Sequence, residues 1–257
     1  MICIDSSITD PYFNLAAEEY LLKRSTKDAL MIWQSEPCVI IGRHQSVEAE
    51  VNLPLAKELR IKIARRSSGG GAVYDDLGNM NLTFIESGKT PDFSKYSNLM
   101  IHFLENFGVQ AQVDKRGGLV VDGLKISGSA QAIWGNRMMF HASLLFSTDL
   151  SMLNAILKGN EDIFKYNSDT NNKSYVKSVR SEVSNLSSYL SESMQINDFK
   201  QQLIKNILNK DMSKQLYTFS DKEKEEITHL RENKYSTANW NLYQSQSTNA
   251  YSVNFKT

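Results

Sequence analysis

Short apolar runs separated by Gly, Pro, Asp and Asn recur along the first 146 residues of the chain. Runs of this length that contain many β-branched and aromatic residues are typical of β-strands, because such side chains pack well on a pleated, half-buried surface. The pattern predicts strands at 29–33, 38–42, 61–64, 71–74, 80–85, 109–113, 119–121, 124–126 and 138–146.

Apolar residues at helical spacing predict several helices between and after these strands. Asp10 and Pro11 stand at the start of the first helix, where Asp10 is expected to accept from free N–H groups and Pro11 fits the first turn. Gly108 and Gly159 follow two other helices and suit a C-terminal cap. The helices are predicted at 11–21, 53–59, 99–107, 151–158, 199–208 and 221–231.

The composition changes after the last predicted strand. Residues 160–188 are rich in Asn, Ser, Asp and Lys, which predicts a long polar surface loop. Residues 191–257 are predicted to form a helical C-terminal portion with a polar tail. The whole pattern favours an α+β fold, with a mixed β-sheet and flanking helices, and one domain over residues 1–257.

Charge and cysteine content exclude several classes of protein. The 29 Lys and Arg residues balance 29 Asp and Glu residues, which argues against nucleic acid or an anionic membrane as the main partner. Cys3 and Cys38 lack the spacing of a zinc site, and the chain shows neither a signal peptide nor an apolar run of membrane-spanning length. We therefore predict a cytoplasmic protein without disulfides.

A glycine-rich stretch between two predicted strands is the first candidate for chemistry. Glycines let backbone N–H groups approach an anion closely, and Arg66 is able to pair with a phosphate through two hydrogen bonds. The stretch matches neither a P-loop nor a dinucleotide-binding fingerprint. It predicts either a phosphate cradle or a glycine-rich hairpin with solvated arginines. Its sequence is Arg65-Arg66-Ser67-Ser68-Gly69-Gly70-Gly71-Ala72-Val73-Tyr74.

Lys125 is the second candidate, because the small residues that follow it leave room for a ligand beside its strand. Such a lysine neutralises charge on a phosphoryl or carboxyl oxygen, although most strand lysines simply face water. His141 and His44 each suit either a catalytic role or an ordinary packed position. Asn79 and Asn81 suit either ligand orientation or a turn.

Several motifs, taken in order, resemble the lipoate–protein ligase family over about residues 5–186. The glycine-rich stretch followed by the lysine motif is the most specific part of this resemblance. The motifs are Asn14-Leu15-Ala16-Ala17-Glu18-Glu19, Gly42-Arg43-His44-Gln45, the stretch from Arg65 to Tyr74, Asp76-x-Gly78-Asn79, Lys125-x-Ser127-Gly128, His141, Leu144-Leu145, Lys177-Ser178-Val179-Arg180-Ser181 and Asn185.

The resemblance implies a fold related to biotin ligases, a catalytic domain of the class II synthetase type. It also implies a reaction in which lipoate is activated with ATP and Mg²⁺ to lipoyl-AMP. The lipoyl group then passes to a lysine of an apo lipoyl carrier domain, either the E2 subunit of a 2-oxoacid dehydrogenase or the glycine cleavage H protein.

The resemblance further implies site residues, by matching positions. It makes Lys125 the catalytic residue and identifies no metal ligands. Nucleotide and acyl-adenylate binding is expected at Arg66, Ser68, Gly69, Gly70, Gly71, Ala72, Val73, Tyr74, Asn79 and Lys125. The lipoate pocket is expected at Arg66, Gly70, Lys125, Ser127, Gly128 and His141.

Three features depart from the usual pattern of the family. Asp75 stands in place of a histidine, and Gly118 stands in place of an aspartate that lies beside the adenylate in the family. Asp75 is a candidate to supply the carboxylate that is missing at position 118. The chain also ends soon after Trp240, which predicts that the accessory C-terminal domain of many ligases is absent. Two alternatives stay open: a lipoyltransferase that uses preformed lipoyl-AMP or needs a separate accessory protein, and a non-catalytic paralogue that binds the acyl group or the carrier.

Overall fold

The computed structural model describes residues 1–88, 94–160, 175–209 and 215–243. Its strands are β1 (Ile2–Asp5), β2 (Ala29–Trp33), β3 (Cys38–Ile41), β4 (Lys62–Arg65), β5 (Val73–Asp75), β6 (Asn79–Ser87), β7 (Gln112–Val113), β8 (Leu119–Val121), β9 (Leu124–Trp134), β10 (Arg137–Leu145) and β11 (Gln215–Leu216). Its α-helices are α1 (Pro11–Lys23), α2 (Val47–Glu50), α3 (Leu53–Glu58), α4 (Ser94–Glu105), α5 (Leu150–Ile156), α6 (Ile196–Asn209) and α7 (Asp221–Leu230). A 3-10 helix covers Leu186–Tyr189, and π-helical turns cover Arg231–Tyr235 and Asn239–Tyr243.

Two β-sheets organise these elements. The larger sheet has eight strands in the order β11-β1-β2-β6-β10-β9-β8-β7, and the smaller has three in the order β4-β3-β5. β1 is parallel to β2 and β11, while the other pairs of the large sheet are antiparallel. In the small sheet, β3 is parallel to β4 and antiparallel to β5. The predicted α+β fold with a mixed sheet is confirmed.

Helix α1 lies between the two sheets and is buried on nearly all sides. Along β2, Met31 and Trp33 point toward α1, whereas Leu30 and Ile32 point to the opposite face of the large sheet, as strand alternation requires. Helices α4 and α6 cover that opposite face, and α2, α3 and α5 pack on the small sheet. Within the described ranges, none of the helices has the length and apolarity to cross a membrane.

The predicted elements are largely present. The pattern misses helix α2, and it predicts a strand at 109–113 where β7 covers only Gln112–Val113. The hairpin of β9 and β10 extends far beyond the predicted 124–126 run, because small residues in the middle of β9 hide its strand pattern. The pattern also misses β1 and β11, which are short strands at one edge of the large sheet. Asp10 precedes α1 but makes no capping hydrogen bond, so that expectation is wrong. Its carboxylate pairs with Lys62 and Arg231 instead, and so joins α1 to β4 and to residues 221–243, called here the C-terminal segment.

The predicted loop at 160–188 is only partly described, since residues 161–174 lie outside the described ranges. Residues 182–184 lie along β9 of the large sheet, where Val183 forms a parallel bridge with Lys125. The 3-10 helix Leu186–Tyr189 follows. The described part of this polar segment is largely exposed, and backbone hydrogen bonds hold residues 182–184 against β9.

Two buried carboxylates of α1 connect it to distant parts of the chain. Glu18 faces His141 of β10, and Glu19 accepts hydrogen bonds from Lys23, Lys234 and Tyr235. Burial alone would raise the pKa of Glu19, but the ammonium of Lys234 and these hydrogen bonds outweigh it and lower the pKa to about 2. Glu19 therefore holds the C-terminal segment against α1.

We expect the E19Q variant to lose about 1–3 kcal/mol of unfolding free energy at pH 7. Because the folded-state pKa of Glu19 lies below its ordinary value of 4.5, its contribution is complete above pH 4.5 and disappears as the pH falls toward about 2. Burial lowers the pKa of Lys234, so part of the attraction between Lys234 and Glu19 offsets the cost of burying the ammonium. The loss of unfolding free energy in E19Q should therefore lie toward the lower end of the range of about 1–3 kcal/mol. Urea unfolding from pH 7 to pH 2.5 should thus show the wild type and E19Q converging. E105Q, which removes the charge of an exposed pair with His102, is the control and should keep the wild-type stability. A higher unfolding free energy of the wild type over E19Q that persists at pH 2.5 would contradict this role of Glu19.

Candidate active site

A cavity of about 510 Å³ lies between the glycine-rich loop, β9, β10 and residues 176–183. Its volume is typical of small-molecule sites. Leu15 and Trp33 contribute apolar lining, whereas Lys125 and Arg116 contribute positive charge. The cavity therefore suits a ligand with both an anionic and an apolar part.

The glycine-rich loop takes its shape from Arg66, which follows β4. The Arg66 guanidinium donates to the carbonyl oxygens of Gly69 at 2.6 Å and Gly71 at 2.7 Å, and its Nε donates to Ser68 Oγ at 3.1 Å. Gly70 has a φ of +87°, a conformation that favours glycine. Most donors of Arg66 are thus used within the loop. The geometry favours a role in shaping the cradle over the direct phosphate contact that we predicted.

Arg65 serves a different part of the fold. It is completely buried and donates to the carbonyl oxygens of Gly42, Trp240 and Asn241, which anchors the C-terminal segment. Burial lowers the pKa of both Arg65 and Arg66 to about 10, so both guanidinium groups remain charged at neutral pH. The alternative of a hairpin with solvated arginines is wrong.

His141 belongs to a hydrogen-bonded chain beneath the loop. Its Nδ1 lies 3.0 Å and 3.1 Å from the two carboxylate oxygens of Glu18, and its Nε2 lies 2.7 Å from Ser68 Oγ. Thr83 Oγ1 donates to Glu18 at 2.5 Å and accepts from Trp33 Nε1 at 3.1 Å. Since Glu18, Trp33 and His141 line the cavity, this chain gives one part of its wall a fixed polar surface.

Lys125 lies on the same cavity wall, near the start of β9. Its backbone N–H donates to Glu182 O at 2.9 Å, and its carbonyl accepts from Ser184 N–H at 3.0 Å. Both backbone groups of Lys125 are therefore bound to the segment that contains Glu182 and Ser184. The side chain is mostly buried, and Nζ lies 3.5 Å from Asp114 Oδ2. Its position in the cavity decides against the alternative that Lys125 simply faces water.

Ser178 brings residues 175–180 against the glycine-rich loop. Its Oγ accepts from the Ala72 N–H at 2.8 Å and from Gln45 Nε2 at 2.9 Å, while its own N–H donates to Glu50 Oε1 at 2.8 Å. An anion that uses the Ala72 N–H therefore has to displace Ser178 Oγ.

Asp75 is buried away from this arrangement. Its two carboxylate oxygens accept from Asn79 Nδ2 at 3.0 Å and Asn81 Nδ2 at 2.8 Å. Burial raises the pKa of Asp75 to about 7, despite the hydrogen bond from Asn81. Asn81 lines the cavity but Asp75 does not. Asp75 therefore does not supply the carboxylate that Gly118 lacks.

Comparisons with known proteins agree with this geometry. A family model described as the lipoyl protein ligase A/B catalytic domain matches residues 10–208. The chain belongs to the lipoate–protein ligase family. It is 34% identical over 249 residues to lipoate-protein ligase LplJ of Bacillus subtilis, covering 94% of this chain and 73% of that protein.

Solved structures of lipoate–protein ligases have the same fold. A bi-partite lipoate protein ligase from Thermoplasma acidophilum, described with its E2 lipoyl domain, superimposes with a TM-score of 0.78 at 26% identity and 97% coverage of both chains. A lipoate-protein ligase A bound with ATP superimposes with a TM-score of 0.75 at 26% identity, covering 95% of this chain and 99% of that one. The mixed sheet with flanking helices is the catalytic fold of these ligases.

The cavity brings together most of the residues that the family resemblance assigns to the site. His44 is exposed, and its carbonyl accepts from Val176 N–H. Ser68, Gly69 and Asn79 do not line the cavity: Ser68 lies behind the loop, and Asn79 is buried beside Asp75. The assigned residues that do line it are Arg66, Gly70, Gly71, Ala72, Val73, Tyr74, Lys125, Ser127, Gly128 and His141.

Sequence reasoning gave no role to Glu18, Trp33 or Asp114. Glu18 lies in a motif that the family shares, but only the fold shows that α1 is buried enough to aim this carboxylate at His141. Trp33 carries no signal beyond an apolar strand. The contact of Asp114 with Lys125 depends on the turn between β7 and β8.

We expect R66K to loosen the glycine-rich loop. The lysine ammonium is compact and cannot reproduce the planar guanidinium fork, so buried carbonyl groups in this lipoate ligase lose their partners. The unfolding free energy should fall by about 2–4 kcal/mol, and amide hydrogen exchange should accelerate over residues 67–72. R24K, at an exposed pair with Glu226, should behave like the wild type. Unchanged exchange over residues 67–72 in R66K would show that Arg66 does not shape the loop.

Proposed function

We propose that this protein activates lipoate with ATP and transfers the lipoyl group to a lysine of an apo lipoyl carrier domain. The observation that carries this proposal is one cavity in which Lys125 and the glycine-rich loop share a wall with apolar side chains. Lipoyl-AMP has this combination of an anionic phosphate and an apolar acyl chain. Family membership and the ATP-bound ligase of the same fold support the assignment.

In the first step, a carboxylate oxygen of lipoate attacks the α-phosphorus of ATP. The bond to the bridging oxygen breaks, and pyrophosphate leaves with its electron pair. The product is the mixed anhydride lipoyl-AMP. Lys125 would stabilise negative charge on the α-phosphate oxygens, and backbone N–H groups of the glycine-rich loop would add hydrogen bonds. The Ala72 N–H becomes available when Ser178 Oγ moves away.

In the second step, the neutral amine of the carrier lysine attacks the carbonyl carbon of lipoyl-AMP. The carbon–oxygen bond to the phosphate breaks, AMP leaves, and the amine loses a proton as the amide forms. Lys125 would meet the charge that develops on the carbonyl and phosphate oxygens. Both steps thus require the same positive charge at one position.

Mg²⁺ enters this scheme as a companion of ATP. Among the described residues, no group of three or more His, Cys, Asp or Glu side chains is placed to hold a metal ion. Mg²⁺ in nucleotide sites commonly keeps several waters and binds substrate phosphates with one or two carboxylates. The described residues therefore fit Mg²⁺ that is delivered on the nucleotide.

The carrier follows from the same chemistry. A lysine must reach the cavity from a separate protein, and the Thermoplasma ligase of the same fold is described with its E2 lipoyl domain. We therefore assign an apo lipoyl domain, of an E2 subunit or of an H protein, as the partner. The assay below also tests whether the reaction requires a separate accessory protein.

We expect K125A to lose carrier modification while keeping its fold. Removing one positioned donor of this kind costs about 3–4 kcal/mol, which lowers the rate between a hundredfold and a thousandfold. K125R should also fail, because a planar guanidinium does not replace a compact ammonium. Wild type and variants are incubated with lipoate, ATP, Mg²⁺ and an apo lipoyl domain, and the carrier is weighed by mass spectrometry.

The control for this assay is K95A, which removes an exposed lysine paired with Glu86. It should keep the wild-type rate. A K125A variant that retains more than a tenth of the wild-type rate would refute the role of Lys125. A wild-type protein that leaves the carrier unmodified from both ATP with lipoate and preformed lipoyl-AMP would refute the proposed function.

The same assay separates a complete ligase from a transferase. We expect the half-reaction from preformed lipoyl-AMP to be faster than the ATP-dependent reaction, because position 118 carries no carboxylate beside the nucleotide. Loss of such a partner typically costs about 10–100-fold. Equal rates from the two starting materials would contradict this separation. Rescue of the ATP-dependent rate by a purified accessory-domain protein would identify a two-protein ligase.

A further inference from the structure

The turn between β7 and β8 places a carboxylate beside Lys125. Asp114 Oδ1 accepts hydrogen bonds from the backbone N–H groups of Arg116 at 2.7 Å and Gly118 at 2.9 Å. Its other oxygen, Oδ2, lies 3.5 Å from Lys125 Nζ. The two oxygens of one side chain therefore have separate tasks: one holds the turn, and the other faces the lysine.

Gly118 lets the turn lie directly against Lys125. A Cβ atom at Gly118 would lie 2.6 Å from the carbonyl oxygen of Ser127 and 2.8 Å from Lys125 Nζ, which is closer than real Cβ atoms approach. No side chain fits there while the turn and Lys125 keep their positions. The turn therefore passes directly over the lysine, and an aspartate at 118 is not compatible with this arrangement.

The turn is also fixed by bonds that do not involve Asp114. Arg116 Nη1 donates to the carbonyl of Val179 at 2.7 Å, and Ser129 Oγ donates to the carbonyl of Gly117 at 2.9 Å. These contacts connect the turn to the polar segment on one side and to β9 on the other. Asp114 is consequently held where its Oδ2 meets Lys125.

We infer that Asp114 is a positioning residue that holds the Lys125 ammonium at the cavity wall for both steps of the proposed reaction. An ammonium has three donors, and a contact of 3.5 Å to one oxygen leaves the others for phosphate and carbonyl oxygens. Because the ammonium is already positioned, less side-chain conformational entropy is lost when it binds those oxygens. This inference rests on the proposed function of Lys125.

The N–H groups of the turn keep Asp114 charged. Burial raises the pKa of this carboxyl, but the backbone hydrogen bonds from Gly118 and Arg116 and the charge of Lys125 lower it below its usual value. The D114N variant is therefore an informative change. Its amide oxygen is placed to accept both backbone N–H groups, while the atom that faces Lys125 changes from a charged acceptor to a neutral NH2 donor.

The test measures single-turnover transfer from preformed lipoyl-AMP to an apo lipoyl domain. D114N should lower the maximal rate about tenfold, with little change in the carrier concentration at half-maximal rate and in Tm. In the K125A background, D114N should have no further effect, because a residue that acts through Lys125 has nothing left to position. D221N is the matched control: it removes the charge of a surface pair that also spans 3.5 Å, to Lys224, and should leave the rate unchanged.

Two results would overturn the inference. One is a D114N variant with the wild-type rate. The other is an equal loss from D114N with and without Lys125, accompanied by a lower Tm, which would make Asp114 a purely structural residue. A wild-type protein that transfers nothing would overturn the proposed function as well, and this outcome is visible before any variant is compared.

Discussion

The guanidinium of Arg66 closes on the carbonyl oxygens of Gly69 and Gly71, and the rest of the site depends on that contact. A glycine-rich loop is intrinsically flexible, since glycine loses more backbone freedom on ordering than any other residue. A buried cation whose donors are met by the loop's own carbonyls offsets that cost. The loop can then line a cavity with backbone groups instead of side chains, which leaves room for a ligand.

Neighbouring buried charges connect this loop to the remainder of the fold. Arg65 binds carbonyl groups of the C-terminal segment, and Glu19 holds the same segment through Lys234. Glu18 links α1 to His141 on the wall of the cavity. Helix α1 therefore contributes more than apolar packing between the two sheets. It carries two carboxylates, of which one stabilises the fold and the other shapes the site.

Local signals in the sequence were sufficient for most of the strands and for the glycine-rich loop, since each depends on residues close together in the chain. The family resemblance, and not the local pattern, singled out Lys125. Contacts across the fold were beyond those signals. The carbonyl of Trp240, which binds Arg65, lies 175 residues away. Two adjacent arginines do not reveal that Arg65 turns to the C-terminal segment and Arg66 to the glycine-rich loop. Asp114 illustrates a second limit. The absence of a carboxylate at Gly118 is visible in the sequence, but the contact of Asp114 with Lys125 depends on how tightly the turn passes over the lysine.

In the proposed reaction, Lys125 and the glycine-rich loop would hold the phosphate of lipoyl-AMP while the apolar wall would hold the acyl chain. A crystal structure of the protein with a non-hydrolysable lipoyl-adenylate analogue tests it most directly. The account predicts Lys125 Nζ within hydrogen-bonding distance of the phosphate or carbonyl oxygen, with the acyl chain against Leu15 and Trp33. An analogue bound outside the cavity, or a Lys125 side chain turned away from it, would contradict the claim.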